Sequence, residues 1–174
     1  MINRQADLHT PTEDSEDITL DTADENRDAV LSLAGQAHFS LKLFTRDLDP
    51  RVFDNPDFER CIFRLATMHR SSKIHILVSD ITSAMRRGHC LIRLAQKLTS
   101  SVFIHKPARE HKGELSTFMI VDGTGLLHRP RSSSNNYQAI VNYRSPQRAG
   151  ELDDHFNEMW ERSTPDAQIR RLYI

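Results

Sequence analysis

The stretch Ser116-Thr-Phe-Met-Ile-Val-Asp-Gly-Thr-Gly-Leu-Leu-His-Arg129 constrains the fold more than any other part of the chain. Phe118 to Val121 is a continuous apolar run, the pattern of a strand covered on both faces. Asp122-Gly123 follows, the dipeptide most tolerant of the positive φ angles that a tight hairpin demands. A second short strand, Leu126 to Arg129, leaves the turn. Such a hairpin belongs inside a sheet with helices on both sides.

The segments around it supply those partners. Thr22-x-x-Glu25 is a capping box opening a helix with Val30, Leu33, Ala34 and Ala37 on one face, frayed near Gly35. His38 to Phe44 alternates, with Phe39, Leu41 and Leu43 to one side, and reads as a strand running into the turn-rich Thr45–Pro50. Asn55-Pro56 caps a helix that aligns Phe58, Cys61, Ile62 and Leu65. Lys73 to Ser79 is a second strand, closed by Asp80. Gly88 precedes a third helix with Leu91, Leu94, Ala95 and Leu98 at helical spacing, and Val102 to His105 is a third strand. Beyond the hairpin, Tyr137 to Arg144 reads as another strand. Ser145-Pro146 then opens a helix with Leu152, Phe156, Met159 and Trp160 as its core stripe, and Thr164-Pro165-Asp166 can cap a final turn. Strand–helix–strand crossovers imply parallel neighbours and the hairpin implies antiparallel ones. The expectation is an α/β fold, with a mixed, mostly parallel sheet flanked by helices.

Charge is distributed unevenly. The first 28 residues hold nine acidic and two basic side chains, a net of −7, whereas the rest holds 15 acidic and 21 basic, a net of +6. A segment so acidic buries too little apolar surface to offset chain entropy, so residues 1–21 read as a disordered acidic tail and 22–174 as a single domain. No run of 18 apolar residues exists to span a membrane, and the N-terminus lacks a basic region followed by an apolar stretch. Cys61 and Cys90 are isolated, fit a reducing cytoplasm, and read as small buried hydrophobes. A cytoplasmic location is the expectation.

In open α/β sheets, ligands lie beyond the carboxyl ends of the parallel strands. Those ends carry Thr45-Arg46-Asp47, Ser79-Asp80 and His105-Lys106, a mixture suited to phosphate or another anion. Capping accounts equally for Asp47, Asp49 and Asp80, with Arg46 paired to one of them. Arg86-Arg87-Gly88-His89 precedes the third helix, where positive charge is not placed to favour the dipole. It is either a patch for nucleic acid or acidic lipid, or ordinary solvated surface without interleaved aromatics for base stacking. The nine histidines form no His-Glu-x-x-His or His-x-His, the cysteines form no Cys-x-x-Cys, and no Gly-rich phosphate loop or Gly-x-Ser-x-Gly elbow occurs. The sequence therefore calls for no metal and no cofactor.

The element order and the hairpin resemble one half of the phospholipase D superfamily, whose domains carry His-x-Lys-x4-Asp followed by Gly-Ser-x-Asn. That resemblance implies a histidine attacking phosphorus, with lysine and asparagine stabilising the phosphoryl oxygens. Setting the motif aspartate on Asp122 places Leu115 at the histidine and Thr117 at the lysine. Ser132-Ser133-Ser134-Asn135 is similar to Gly-Ser-x-Asn but comes three residues late and lacks the glycine. Leucine is no nucleophile and threonine carries no charge, so the double displacement has no first step. Phe44–Pro50, Arg87–Leu98 and the Trp160-centred helix resemble more specifically an uncharacterised proteobacterial domain family with this fold, often C-terminal to an acetyltransferase domain. The likeness covers about residues 25–174 and carries over no acetyltransferase activity.

The expected function is therefore a non-catalytic module that binds a partner protein or an anionic, phosphate-bearing ligand. Its candidate ligand-binding residues are Thr45, Arg46, Asp47, Asp80, Arg87, His89, His105, Lys106, His128 and Arg129. One competing reading is a phosphodiesterase or nuclease-like enzyme with a relocated site, using His75, His89, His105 or His128 near Asp47 and Asp80. Another is nucleic-acid binding through the basic elements from Arg86 to Lys112. The resemblance further implies a homodimer.

Overall fold

Residues 14–170 are described in the computed structural model of the chain, and residues 1–13 of the expected acidic tail lie outside them. The caps work largely as the sequence implies. Thr22 Oγ1 accepts from Glu25 N while the Glu25 carboxylate accepts from Thr22 N, opening α1 (Ala23–Gln36). Asn55 Oδ1 accepts from Phe58 N to start α3 (Pro56–Met68). The short α2 (Pro50–Phe53) stands between them, where only turns were expected. Ser145 is different. It precedes α6 (Pro146–Glu161) without capping it, and its hydroxyl donates to Asp14 instead.

Among the described residues eight strands form one sheet: β1 (Ile18–Leu20), β2 (Ser40–Thr45), β3 (Lys73–Val78), β4 (Val102–Lys106), β5 (Thr117–Val121), β6 (Gly125–Arg129), β7 (Ala139–Asn142) and β8 (Thr164–Pro165). Their spatial order is β1-β7-β6-β5-β2-β3-β4-β8. Only β2–β3 and β3–β4 are parallel, and the other five pairings are antiparallel. The sheet is thus mixed but mostly antiparallel, which corrects the expected parallel majority. The crossovers behaved as expected. The balance shifted because β5 joins β2 antiparallel and because β1 and β8 add an antiparallel strand at each edge. β1 also corrects the end of the expected tail: Ile18–Leu20 pairs with β7, and Asp17 accepts from Asn142 and Arg148.

The two faces are covered separately. Leu41, Leu43, Met119, Val121 and Leu127 point into the larger cluster, together with buried residues of α1, α3 and α5 (Cys90–Lys97). Phe44, Leu77, Phe118, Ile120 and Leu126 point the other way, onto Ala149, Phe156 and Met159 of α6. Burying an aromatic side chain such as Phe156 contributes roughly 1.5–3 kcal/mol, so this one helix anchors the second face. Phe39, assigned above to the buried side of β2, lies before the strand, is 65% exposed and stacks on His69.

The hairpin forms as read, with Asp122 (φ 53) and Gly123 (φ 69) both left-handed. Asp122 does more than turn the chain. Its carboxylate accepts from the backbone N–H groups of His38, Phe39 and Ser40, lashing the hairpin to the start of β2. Gly125, which reads in sequence as part of the turn, opens β6 at a point where α1 passes over it. A Cβ there would sit 3.0 Å from Leu33 Cδ2.

Candidate functional site

The register brings unlike segments to one edge of the sheet. Thr117 opens β5 directly opposite Arg129, the last residue of β6. Phe44 faces Phe118, so Thr45 stands one step further along the same end, beside Ser79 and Asp80 after β3. Thr45, Thr117 and Arg129 point to the α1/α3/α5 face and all are buried. There they floor a cleft of about 500 Å3 whose walls include Arg46, Asp47, Asp49, Arg51, Asp80, Ser83, Arg87, Ser132 and Tyr137.

Arg129 is the centre of this cleft. It is 3% exposed, lies over the Tyr137 ring with Cζ 4.5 Å from the centroid, and donates through Nη2 to the carbonyls of Asn136 (2.9 Å) and Ser133 (3.3 Å). Its Nε is buried without a partner. Burial lowers its pKa, opposed by Asp49, Tyr137 and Asp47. Tyr137 is itself held by Asp49, donating from Oη to Oδ2 at 2.6 Å, and burial followed by that carboxylate raises its pKa. Asp49 Oδ1 also accepts from Arg51 N to start α2. Ser132 Oγ donates to Thr117 Oγ1 at 2.6 Å and its N–H to the Leu115 carbonyl at 2.7 Å. The Ser132–Tyr137 loop is thereby pinned over the cleft floor.

Four guanidinium groups meet three carboxylates here. Among the described residues none of Arg46, Arg51, Arg87 and Arg129 forms an ion pair within 4 Å. The carboxylates are not alike. Asp80 accepts from Thr82 N, and this bond above all lowers its pKa. Asp47 keeps a solvent-facing edge but is hemmed in by the cleft. That partial burial, with the Asp49 carboxylate, raises its pKa against the pull of Arg46 and Arg129. The arginine side also has a backbone explanation. Gly88, left-handed at φ 65, ends α4 (Thr82–Arg87), so Arg86 and Arg87 close one helix rather than precede another, where the dipole favours them.

Six of the ten expected ligand-binding residues therefore converge: Thr45, Arg46, Asp47, Asp80, Arg87 and Arg129. Four do not. His89 is buried behind the cleft, where Nδ1 accepts from Leu91 N to cap α5. His105 stacks on Trp160 at 3.9 Å and shares a hydrogen bond with Ser163. Lys106 is exposed at the end of β4, outside the cleft lining. His128 faces α6, in a separate groove with Glu114 and His155. His75 lies between Phe103 and Trp160. None of the four histidines lines the cleft with Asp47 and Asp80, so a relocated His/Asp site is not assembled. Asp49, Arg51, Ser83 and Tyr137 were missed as site residues. Tyr137 carried no signal, because nothing in its local pattern shows that a loop folds it over Arg129.

One trio of metal-ligand type also comes together: Asp54, His89 and Cys90, with His89 Nδ1 4.0 Å from Asp54 Oδ1 and 3.9 Å from Cys90 Sγ. Two of the three already cap α5, since Cys90 N donates to Asp54 Oδ1 and Leu91 N to His89 Nδ1. Burial, then the Asp54 charge, pushes the Cys90 thiol up to about 12, so it sits there as a neutral thiol near the Phe53 carbonyl. The α5 N-terminus is also a poor place for a cation. The trio is a helix cap.

Among the described residues no helix is long and apolar enough to cross a membrane. No curated protein matches the sequence. Solved structures share the fold at low identity. TrmBL2, an archaeal chromatin protein with a novel mode of DNA binding, superposes with a TM-score of 0.63 at 13% identity. The match covers 92% of this chain, which spans only 57% of the archaeal protein. The phospholipase D family member Nuc from Salmonella typhimurium gives 0.59 at 15% identity, covering 87% of this chain and 99% of that one. NucT from Helicobacter pylori gives 0.61 at 16% identity with the same coverage of both chains. The likeness to phospholipase D-family proteins is therefore one of fold. Residues 22–172 match the family described as a domain of unknown function, DUF7931, and the chain belongs to that family.

Proposed function

We propose that this protein is a non-catalytic module that binds a phosphate-bearing anion in the cleft at the end of β2, β3, β5 and β6. The carrying observation is Arg129: a buried guanidinium with no carboxylate within 4 Å among the described residues, in a cleft that Arg46 and Arg87 also line without ion pairs of their own. A buried charge is costly unless it is paired, and an oxyanion held by guanidinium forks supplies the missing partner. Leu115 and Thr117 stand at the two positions that the phospholipase D-like resemblance assigns to nucleophile and lysine, which supports binding without turnover. The fold likeness to a DNA-binding chromatin protein and to phospholipase D-family members is in keeping with an anionic ligand, and it does not name one.

Titration of the pure protein with inorganic phosphate and pyrophosphate, followed by amide NMR shifts, tests the site. Shifts are expected to cluster around residues 45–51, 80–87 and 129–137. The double variant Arg46→Ala, Arg87→Ala should weaken binding by about a hundredfold, since charge-assisted hydrogen bonds contribute about 1.5 kcal/mol or more each. Shifts confined to other surfaces would refute the reading. So would hydrolysis of bis(p-nitrophenyl) phosphate that is lost in the same variant.

A further inference from the structure

The cleft contains an acceptor as well as donors, and that limits what fits. Of its three carboxylates, Asp49 accepts at both oxygens, from Tyr137 Oη and Arg51 N, whereas Asp80 accepts from Thr82 N at Oδ1. Asp47 accepts no hydrogen bond among the described residues, although it lines the same cleft as Arg46 and Arg129 and feels the charge of both. The groups left open to a ligand among the described residues are thus Arg46 and Arg87 on the donor side, with Asp47 and the second oxygen of Asp80 on the acceptor side, Asp47 being the carboxylate with no hydrogen bond of its own. An extended polyanion satisfies the donors but places further negative charge against Asp47, a like-charge contact that costs affinity. A small phosphate ester with hydroxyl or ammonium groups near the phosphorus satisfies both halves at once. A volume of about 500 Å3 suits a molecule of that size. Acceptors left unpaired on binding are penalised, so Asp47 also selects against esters without donors.

We infer that the cleft takes a small phosphate ester carrying neighbouring hydrogen-bond donors, a phosphorylated polyol or amino alcohol, with Asp47 as the residue that selects for those donors. The inference rests on the anion-binding reading above and goes one step beyond it. Calorimetry on the full chain with four probes tests it: methyl phosphate, ribose 5-phosphate, phosphoethanolamine and a short DNA duplex. Ribose 5-phosphate or phosphoethanolamine should bind about tenfold tighter than methyl phosphate, the value of one good hydrogen bond to a charged group. Whichever of the two binds tighter tells hydroxyl from ammonium. Asp47→Ala should abolish that preference, so that the three small esters bind alike. Equal binding of all three small esters overturns the inference and leaves anion binding standing. Tighter binding of the duplex, with a steep salt dependence, overturns it in favour of nucleic acid. If no anion binds, the proposed function itself fails and the inference with it.

Discussion

Acid should loosen this fold through one histidine. His75 on β3 packs between the Phe103 and Trp160 rings, and burial, followed by the charges of Lys42, His105 and Lys73, drives its pKa from 6.5 to about 4. The unfolded chain therefore holds a proton on this residue over a range where the folded one does not. Its contribution to stability is fully present above about pH 6.5 and is lost as pH falls from there to about 4, with nothing further to lose below. At about 1.36 kcal/mol per pH unit the whole displacement corresponds to about 3.4 kcal/mol. The ring keeps some solvent contact, which screens the effect, so a loss of about 1.5–2 kcal/mol is the working expectation. Urea unfolding at pH 7.5 and pH 4.2, on wild type and on His75→Phe, isolates it. The phenyl ring keeps the stack and cannot titrate. His89 and His128 also have lowered pKa values, but they contribute alike to both proteins and cancel in the comparison. Wild type should lose about 1.5–2 kcal/mol more than the variant between the two pH values. Parallel pH profiles would show that His75 does not carry the linkage.

Two further substitutions probe the frame around the cleft. Asp122→Ala removes the acceptor shared by His38, Phe39 and Ser40 and puts a Cβ-bearing residue without side-chain compensation at φ 53. It should cost about 2–4 kcal/mol by thermal or urea unfolding, and a loss under about 0.5 kcal/mol contradicts the lashing role. Phe156→Ala empties the centre of the α6 face, where Phe118 and Trp160 both contact the ring. A loss of about 3–5 kcal/mol is expected, together with changed Trp160 fluorescence. Retention of wild-type stability would mean that α6 is not what covers that face.

The elements were legible from the chain because caps and periodicity are local. Thr22 with Glu25, Asn55 with Pro56, and Asp122 with Gly123 each act within a few residues, and each appears where expected. The parallel run of β2, β3 and β4 was legible too, because a helix between two strands returns the chain in the same direction. Edge strands were not. Ile18–Leu20 and Thr164–Pro165 are too short to carry a period and exist only because β7 and β4 offer open edges.

The Ser116–Arg129 hairpin shows both sides of this division. Its sequence by itself determined a doubly covered strand and a left-handed two-residue turn. Those are matters of side-chain type and local backbone preference. Only the tertiary structure decided that Thr117 and Arg129 meet Thr45, Arg46 and Asp47 across two strand pairings, while His89, His105 and His128 are carried elsewhere. It also decided that Tyr137 and Asp49 hold a buried arginine in place. The physical reason is register. Which side chains share a cleft depends on pairings between residues as far apart as Asp49 and Tyr137, and no local pattern encodes them.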